Sequence, residues 1–262
     1  MTDLPPIIRQ APLEGSRRIL LTISYDGTAY AGWQWQDNAV AVQQRLEEAL
    51  EKLIGQSVRV TGASRTDAGV HALGQRAHFD TFSRIPAEKY PFTLNTCLPV
   101  DIRVLEGRQV PGSFHARFDA AGKQYTYRIH HAPHASALLR NLTAHVPQKL
   151  DVERMRQSLR CLEGTHDFAA FQAAGGTAKT TLRTLSNLSL EQSGDELTLT
   201  VRGNAFLYNM VRIIAGTMLD IGMGRLPENA FQRALETGNR LDLGVTAPAC
   251  GLELTRIFYP NL

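Results

Sequence analysis

A carboxylate and a guanidinium stand two residues apart in a short stretch bounded by glycines, and both groups could do chemistry on a bound substrate. Asp67 offers an oxygen nucleophile or a base, and Arg65 offers a planar cation that suits a phosphate. Residues two apart on an extended segment point to the same side, so both side chains are expected to face one cleft. An Asp between Gly62 and Gly69 is also a common turn residue, and spacing alone leaves both interpretations open.

Segments with strand-like patterns flank this stretch and would position it. Residues 57–61 alternate polar and apolar side chains before it, and residues 77–82 follow it after a short polar turn. A loop between strands is where a scaffold presents reactive side chains. The sequence therefore predicts that Asp67 lies in a loop held by a sheet.

The string RTDAGVHA at residues 65–72, with Gln75 three residues on, resembles the active-site motif of the TruA family of tRNA pseudouridine synthases. The family often has Gly where this chain has Ser64, and both residues are small. The resemblance runs over residues 17–258. It implies an enzyme that isomerises uridine to pseudouridine at positions 38, 39 and 40 of the tRNA anticodon stem-loop. It also implies no cofactor, no metal, and a homodimer whose two subunits the tRNA spans.

The resemblance extends to three further residues of the expected site. Tyr125 matches the family's active-site tyrosine, which would pack on the flipped base or accept a proton. Arg212 matches an arginine that pairs with the catalytic aspartate, and a charge in so apolar a segment needs a carboxylate partner. Leu252 matches an apolar motif that walls the uridine pocket. The structural alternatives are an ordinary sheet tyrosine, a snorkelling arginine and a buried strand leucine.

These matches give each residue an expected role. Asp67 is the nucleophile, and an ion pair with Arg212 is expected to keep it ionised. Tyr125, Arg65 and Leu252 are expected to contact the substrate. Whether Asp67 attacks C1′ or assists loss of a C2′ proton is left open by the residues.

The elements around these residues follow the order β-α-β-β-α-β twice. In the first half, strands are predicted over 17–27, 57–61, 77–82 and 102–110, and helices over 42–53 and 87–97. In the second half, strands are predicted over 124–129, 182–190, 196–202 and 252–258, and helices over 152–162, 207–223 and 227–237. This order predicts an α+β fold of two tandem ferredoxin-like or RRM-like domains, with antiparallel sheets and a cleft between them. We place a flexible tail at 1–15, a domain carrying the Asp67 loop at 16–115, and a domain completing the cleft at 116–262.

Composition is compatible with a nucleic-acid partner. The 262 residues are 43% hydrophobic and 20% charged, with a net charge of +3, which fits a globular protein of mild basicity. Several of the scattered basic residues belong to strands or loops near the proposed cleft, where a phosphate backbone would need them, although any one of them is most often a solvated surface charge. The scattered basic residues are Arg17, Arg18, Arg65, Arg76, Arg117, Lys123, Arg128, Lys179, Arg183 and Arg202. The glycine-rich residues 175–179 are predicted to form a mobile loop that orders on RNA.

The cysteines, histidines and apolar runs of the sequence bear on the cellular compartment, on metal binding and on membrane insertion. The three cysteines are dispersed and in no metal spacing, which favours reduced thiols and a cytoplasmic protein. No apolar run approaches the ~20 residues of a membrane span. The histidines at 130, 131 and 134 lack zinc-site spacing, and Pro133 prevents a helical two-histidine face, so no metal site is expected.

Two functions of other classes compete with isomerisation. One is a tandem RRM-like binding module without chemistry, although the aromatic RNP pattern of RRM sheets is not found in the sequence. The other is a hydrolase that uses Asp67 and His71, a pair that comes without a clear oxyanion donor. Hydrolysis would release a free base, whereas isomerisation would not.

Overall fold

A computed structural model describes Pro12 and residues 14–260. Most of the predicted tail at residues 1–15 lies outside the described residues. The boundary predicted between residues 115 and 116 falls in the connection between the fourth and fifth strands, and stays a prediction.

The first half of the chain has the predicted order of elements. It contains β1 (Arg17–Tyr25), α1 (Val42–Ile54), β2 (Thr61–Gly62), β3 (His71–Thr81), α2 (Tyr90–Leu94) and β4 (Ile102–Val110). The helix α1 ends at Gly55, which takes the left-handed conformation that glycine favours. Strand β4 has the predicted bounds.

The prediction for the second strand is largely wrong, because only Thr61 and Gly62 of its region join the sheet. The backbone of Val60 is bound instead by side chains of α1. Its N–H donates to Glu47 Oε1 at 2.9 Å, and its carbonyl accepts from Gln43 Nε2 at 3.0 Å. With both groups satisfied by the helix, this backbone has no need of a strand partner.

The second half adds two short strands to its predicted elements. It contains β5 (Gly122–His130), β6 (Ala144–His145), α3 (Val152–Leu159), β7 (Gly164–Asp167), β8 (Leu182–Ser193), β9 (Glu196–Gly203), α4 (Met210–Gly222), α5 (Ala230–Thr237) and β10 (Leu252–Phe258). Asp151 caps α3 by accepting from the Arg154 N–H. Helix α4 begins three residues after its predicted start, because Asn209 has a left-handed φ of 60°.

All these strands form one sheet in the order β4-β1-β3-β10-β5-β9-β8-β7, with β2 on β3 and β6 on β5. The orders β4-β1-β3-β2 and β10-β5-β9-β8 are equivalent, so each half is a βαββαβ repeat with the same strand arrangement. This confirms the predicted tandem α+β fold. Apart from β3–β10 and β5–β6, the pairings are antiparallel.

The two repeats join where β3 meets β10. The junction is a parallel ladder of two residue pairs, Glu253 with His71 and Leu254 with Ala72. It lies beside the predicted catalytic loop, which ends where β3 begins. The same edge of β3 pairs with β2 further along, at Ala77 and His78. The loop therefore leaves and re-enters the sheet at the boundary between the repeats.

Helix α4 packs almost wholly inside the second repeat. Every residue of α4 except Arg212 is buried. Gly216 packs so closely against the segment containing Val245 that a Cβ there would lie 1.8 Å from the Val245 carbonyl oxygen. None of the helices among the described residues is long and apolar enough to cross a membrane.

Candidate active site

The loop of residues 63–70, here called the Asp loop, is held in place mainly through its backbone. The Ala63 N–H donates to the Arg76 carbonyl at 2.7 Å, and the Val70 N–H donates to the Asp67 carbonyl at 3.1 Å. The Thr66 carbonyl accepts from the Trp33 N–H at 3.0 Å. These bonds fix the path of the loop and leave its side chains available for other contacts.

Gln75 clamps the Asp loop from inside the sheet. Its side chain is fully buried, donates to the Ser64 carbonyl at 2.6 Å, and accepts from the Ser64 N–H at 3.3 Å. The hydroxyls of Tyr25 and Thr66 form a second buried anchor at 2.8 Å. Asp67 therefore follows directly after a segment fixed in both backbone and side chain.

The segment containing Gly32 lies directly against the Asp loop. Gly32 has a φ of +94°, and a Cβ there would sit 2.4 Å from the Thr66 carbonyl oxygen. Only glycine satisfies both the left-handed backbone and this close approach. The loop after β1 thus packs directly against the Asp loop.

The structure brings Asp67 and Arg212 together across the two repeats. Arg212 Nη1 lies 3.8 Å from Asp67 Oδ2, and both side chains are mostly buried, with exposed fractions of 18% and 28%. The guanidinium also donates through Nη1 to Asn209 Oδ1 at 2.9 Å and through Nε to the Ala247 carbonyl at 2.8 Å. Asn209 is the only non-glycine residue with positive φ in the described part of the chain. The strained cap of α4 therefore orients Arg212 toward the Asp loop.

Burial raises the pKa of Asp67, and the positive charge of Arg212 lowers it by less, so the pKa stays above its ordinary value. The sequence leads to the expectation that the ion pair dominates. The pairing distance of 3.8 Å is longer than a hydrogen bond, and the guanidinium is shared with Asn209 and Ala247, so desolvation outweighs attraction. The result is a carboxylate more basic than a solvated aspartate.

Tyr125 lies on β5 within the same buried region. Its hydroxyl is 3.0 Å from Ser64 Oγ, and its ring meets Phe206 edge-on with centroids 5.0 Å apart. Burial, with a smaller effect of the Asp67 charge, raises the pKa of Tyr125 to about 12. Tyr127, two residues on, instead donates to the Pro248 carbonyl at 2.9 Å. Tyr125 is therefore the tyrosine of this strand that lies next to the Asp loop.

Leu252 and Arg65 occupy opposite kinds of environment. Leu252 is 5% exposed and pairs in register with Tyr127, two residues along β10 from the pairing of Leu254 with Tyr125. It therefore shares the sheet face of Tyr125. Arg65 is exposed between two buried neighbours in the Asp loop. Their contacts with substrate stay predictions.

Lys123 is one of the scattered basic residues of the sequence, and the structure places it beside the Asp loop. Its Nζ donates to Ser64 Oγ at 3.1 Å. Burial and the nearby Arg117 charge lower the pKa of Lys123 to about 8. One signal for it is present in the sequence, because Lys123 stands two residues before Tyr125 and so shares its strand face. The position of Asn209 beside Arg212 has no comparable signal.

Both ring nitrogens of His71 contact other groups, so His71 is not available as a partner for Asp67. Its buried ring accepts from the Gly27 N–H at Nδ1, at 3.0 Å, and contacts the Cys250 carbonyl through Nε2 at 3.2 Å. The Asp26 carboxylate also lies 3.1 Å from Nδ1, so both ring nitrogens contact groups other than Asp67. The hydrolase alternative therefore lacks its base.

Among residues 14–260, no group of three or more His, Cys, Asp or Glu side chains could hold a metal ion. The histidine-rich segment at 130–134 instead makes local contacts. His131 Nε2 lies 3.1 Å from the Gln148 carbonyl, and the rings of His130 and His145 lie 5.9 Å apart.

Comparison with known proteins gives one consistent family. The family model described as tRNA pseudouridine synthase matches residues 21–119 and 159–260. A protein named tRNA pseudouridine synthase A from Ruminiclostridium cellulolyticum is 48% identical over 93% of this chain and 100% of its own length. Proteins of the same name from Acetivibrio thermocellus and a Thermoanaerobacter species are 46% and 44% identical over the same shares of both chains.

Proposed function

The chain belongs to the tRNA pseudouridine synthase family, and from this premise we propose that it isomerises the uridines at positions 38, 39 and 40 of the anticodon stem-loop. It is a TruA family isomerase that acts on uridine in tRNA. The observation that carries the proposed site is the meeting of Asp67 with Arg212 at 3.8 Å, at the junction of the two repeats.

The reaction requires one bond to break and one to form at the same sugar carbon. The N1–C1′ bond breaks, the uracil turns, C5 bonds to C1′, and a proton leaves C5 while N1 gains one. Asp67 either attacks C1′ or removes a C2′ proton, and a raised pKa favours both roles because the ionised carboxylate is then more basic. Arg212 opposes that rise and so keeps the ionised form available.

The uridine must leave its stack before Asp67 can reach C1′, at a cost of a few kcal/mol. Arg65 is exposed beside Asp67, where it would fill the vacated space and hold the flanking phosphate. Tyr125 would pack on the flipped base or accept a proton, and Leu252 would wall the pocket. The burial of Tyr125 and Leu252 on one sheet face supports a base inserted between the repeats.

The remaining parts of the proposal concern partners and setting. The enzyme is a homodimer with tRNA spanning both subunits, works in the cytoplasm, and needs neither cofactor nor metal. Dispersed cysteines support the reducing compartment. The dimer is tested by light scattering of the purified protein with and without tRNA, where a mass of one chain under both conditions would contradict it.

Tritium release from C5-labelled uridine in tRNA tests the reaction. Wild type is expected to release tritium, and Asp67→Asn is expected to release none while binding tRNA. Transcripts in which U38, U39 or U40 alone is present then test the positions. Release from a transcript lacking all three would place the modified uridine elsewhere, and no release with intact binding would favour the binding module.

A further inference from the structure

Three side chains beside the reacting centre form a continuous hydrogen-bonded chain. Lys123 Nζ lies 3.1 Å from Ser64 Oγ, and Ser64 Oγ lies 3.0 Å from the Tyr125 hydroxyl. Lys123 and Tyr125 project from the same face of β5, whereas Ser64 comes from the Asp loop. The chain therefore links the second repeat to the catalytic loop of the first.

The middle member of the chain is held rigidly. Ser64 is 7% exposed, and its backbone N–H and carbonyl are both bound by the buried Gln75 side chain. Its hydroxyl has one donor and two acceptor positions, which suffices to bridge two neighbours.

Lys123 is partly buried and has no carboxylate partner among the described residues. In the part of the chain that the structure describes, no acidic oxygen lies within ion-pair distance of its Nζ, and its charged neighbour is another cation, Arg117. At the other end of this hydrogen-bonded chain, Tyr125 lies near the Asp67 carboxylate. Burial and the Arg117 charge lower the pKa of Lys123 to about 8, whereas burial raises that of Tyr125 to about 12. Lys123 is thus the member that changes protonation near neutral pH.

We propose that Ser64 and Lys123 are positioning residues that carry away, through Tyr125, the proton released from C5 of the uracil. This inference rests on the proposed function. The C5–H bond breaks after C5 has bonded to C1′, and its electron pair restores the C5–C6 double bond. Tyr125 takes that proton as its own proton passes to Ser64, and the Ser64 proton passes to the neutral Lys123 amine. N1 takes a proton from water, and Lys123 later returns one to solvent.

Substitutions along the chain separate proton transfer from charge. Lys123→Met and Lys123→Arg are both expected to slow single-turnover isomerisation at pH 8 by about 10- to 100-fold, since arginine keeps the charge but does not deprotonate. Recovery of the wild-type rate by Lys123→Arg would overturn the proposal, because a cation alone would then suffice. Lys52→Met, an exposed lysine on α1, is the matched control and is expected to behave as wild type.

An isotope effect gives a readout that a purely structural role would not move. With tRNA deuterated at uridine C5, Ser64→Ala and Ser64→Gly are expected to show a larger primary kinetic isotope effect than wild type, because proton removal becomes slower. Ser64→Gly guards against misfolding of the alanine variant, and tRNA affinity and melting temperature are measured for each. An unchanged isotope effect and rate in folded variants would overturn the relay. Wild type that releases no tritium at all would instead refute the proposed function itself.

Discussion

Arg212 and Asp67 belong to different repeats, and their side chains meet at 3.8 Å beside the short junction between those repeats. The guanidinium is fixed by α4 and by the Ala247 carbonyl, and the carboxylate by the Asp loop. The proposed catalytic pairing is therefore a tertiary contact that neither repeat contains alone, and it leads to two predictions on pH and stability.

Replacing Arg212 by Met is expected to move the acidic limb of the pH–rate profile to higher pH. The Arg212 charge lowers the pKa of Asp67, so its removal lets burial raise that pKa further. The ionised fraction then falls at any pH near the limb, and the rate at pH 6 drops more than the rate at pH 8. Single-turnover rates between pH 5 and 9 measure this, with Arg212→Lys as the charge-retaining comparison. A uniform fall at every pH would contradict it.

Asp67→Asn is expected to abolish isomerisation without lowering the melting temperature at neutral pH. A folded-state pKa above the ordinary value means that the folded protein favours the protonated carboxyl. The ionised carboxylate therefore costs stability above that pKa, and the uncharged amide avoids the cost. The advantage of the amide should shrink as pH falls through the folded-state pKa. Thermal melts at pH 5 and 8 check the sign, and a markedly lower melting temperature of the variant at pH 8 would show that the ion pair is net stabilising.

The two functions of Asn209 can be separated with two substitutions. Asn209→Gly accepts the φ of 60° but loses the bond to Arg212, whereas Asn209→Ala loses that bond and also strains the backbone by about 1–2 kcal/mol. Both variants are expected to lose activity to a similar extent, roughly 10-fold, because Arg212 is released. Only the alanine variant should lose stability in urea denaturation. Equal stability of both would remove the strain argument.

Gly32→Ala is expected to destabilise the protein by about 3 kcal/mol or more and to disturb the Asp loop. The added Cβ would lie 2.4 Å from the Thr66 carbonyl oxygen, in addition to its left-handed strain. Gly55→Ala is the matched control, because Gly55 has a φ of +70° with no atom within 4 Å of the added Cβ. That control should cost only the strain of about 1–2 kcal/mol. Equal losses in the two variants would show that the close approach is relieved cheaply.

The sequence predicts the order of helices and strands because each element follows from a local pattern of polar and apolar residues. Strand patterns predict β4 and β10 with their observed bounds, and the helical pattern predicts an end of α1 at residue 53, one residue before the observed Ile54. The prediction of a strand at Val60 is wrong because the side chains of Gln43 and Glu47 in α1 bind the Val60 backbone. A strand-like pattern of residues does not reveal these contacts. The early start of β3 at His71 likewise depends on partners distant in the chain, because Ala72 pairs with Tyr25 of β1 and with Leu254 of β10.

The sequence predicts those site residues whose side chains are chemically reactive or charged. It does not predict those that matter only through where the fold places them. Spacing alone leaves Asp67 open to a turn role, and the resemblance of residues 65–72 to a family motif singles it out, whereas Arg212 stands out as a charge in an apolar segment. Ser64 looks like a small residue filling a small space, and its importance appears only once Lys123 and Tyr125 are seen on either side of its hydroxyl. A hydrogen bond between distant segments leaves no trace in spacing.

The junction of β3 with β10 has an electrostatic consequence. A parallel ladder of two residue pairs joins the repeats, and the Asp67–Arg212 pair lies beside it. Coulomb attraction weakens with distance, so a wider separation of these two side chains would raise the pKa of Asp67 further. The packing of the two repeats at this junction thus sets the basicity of one carboxylate.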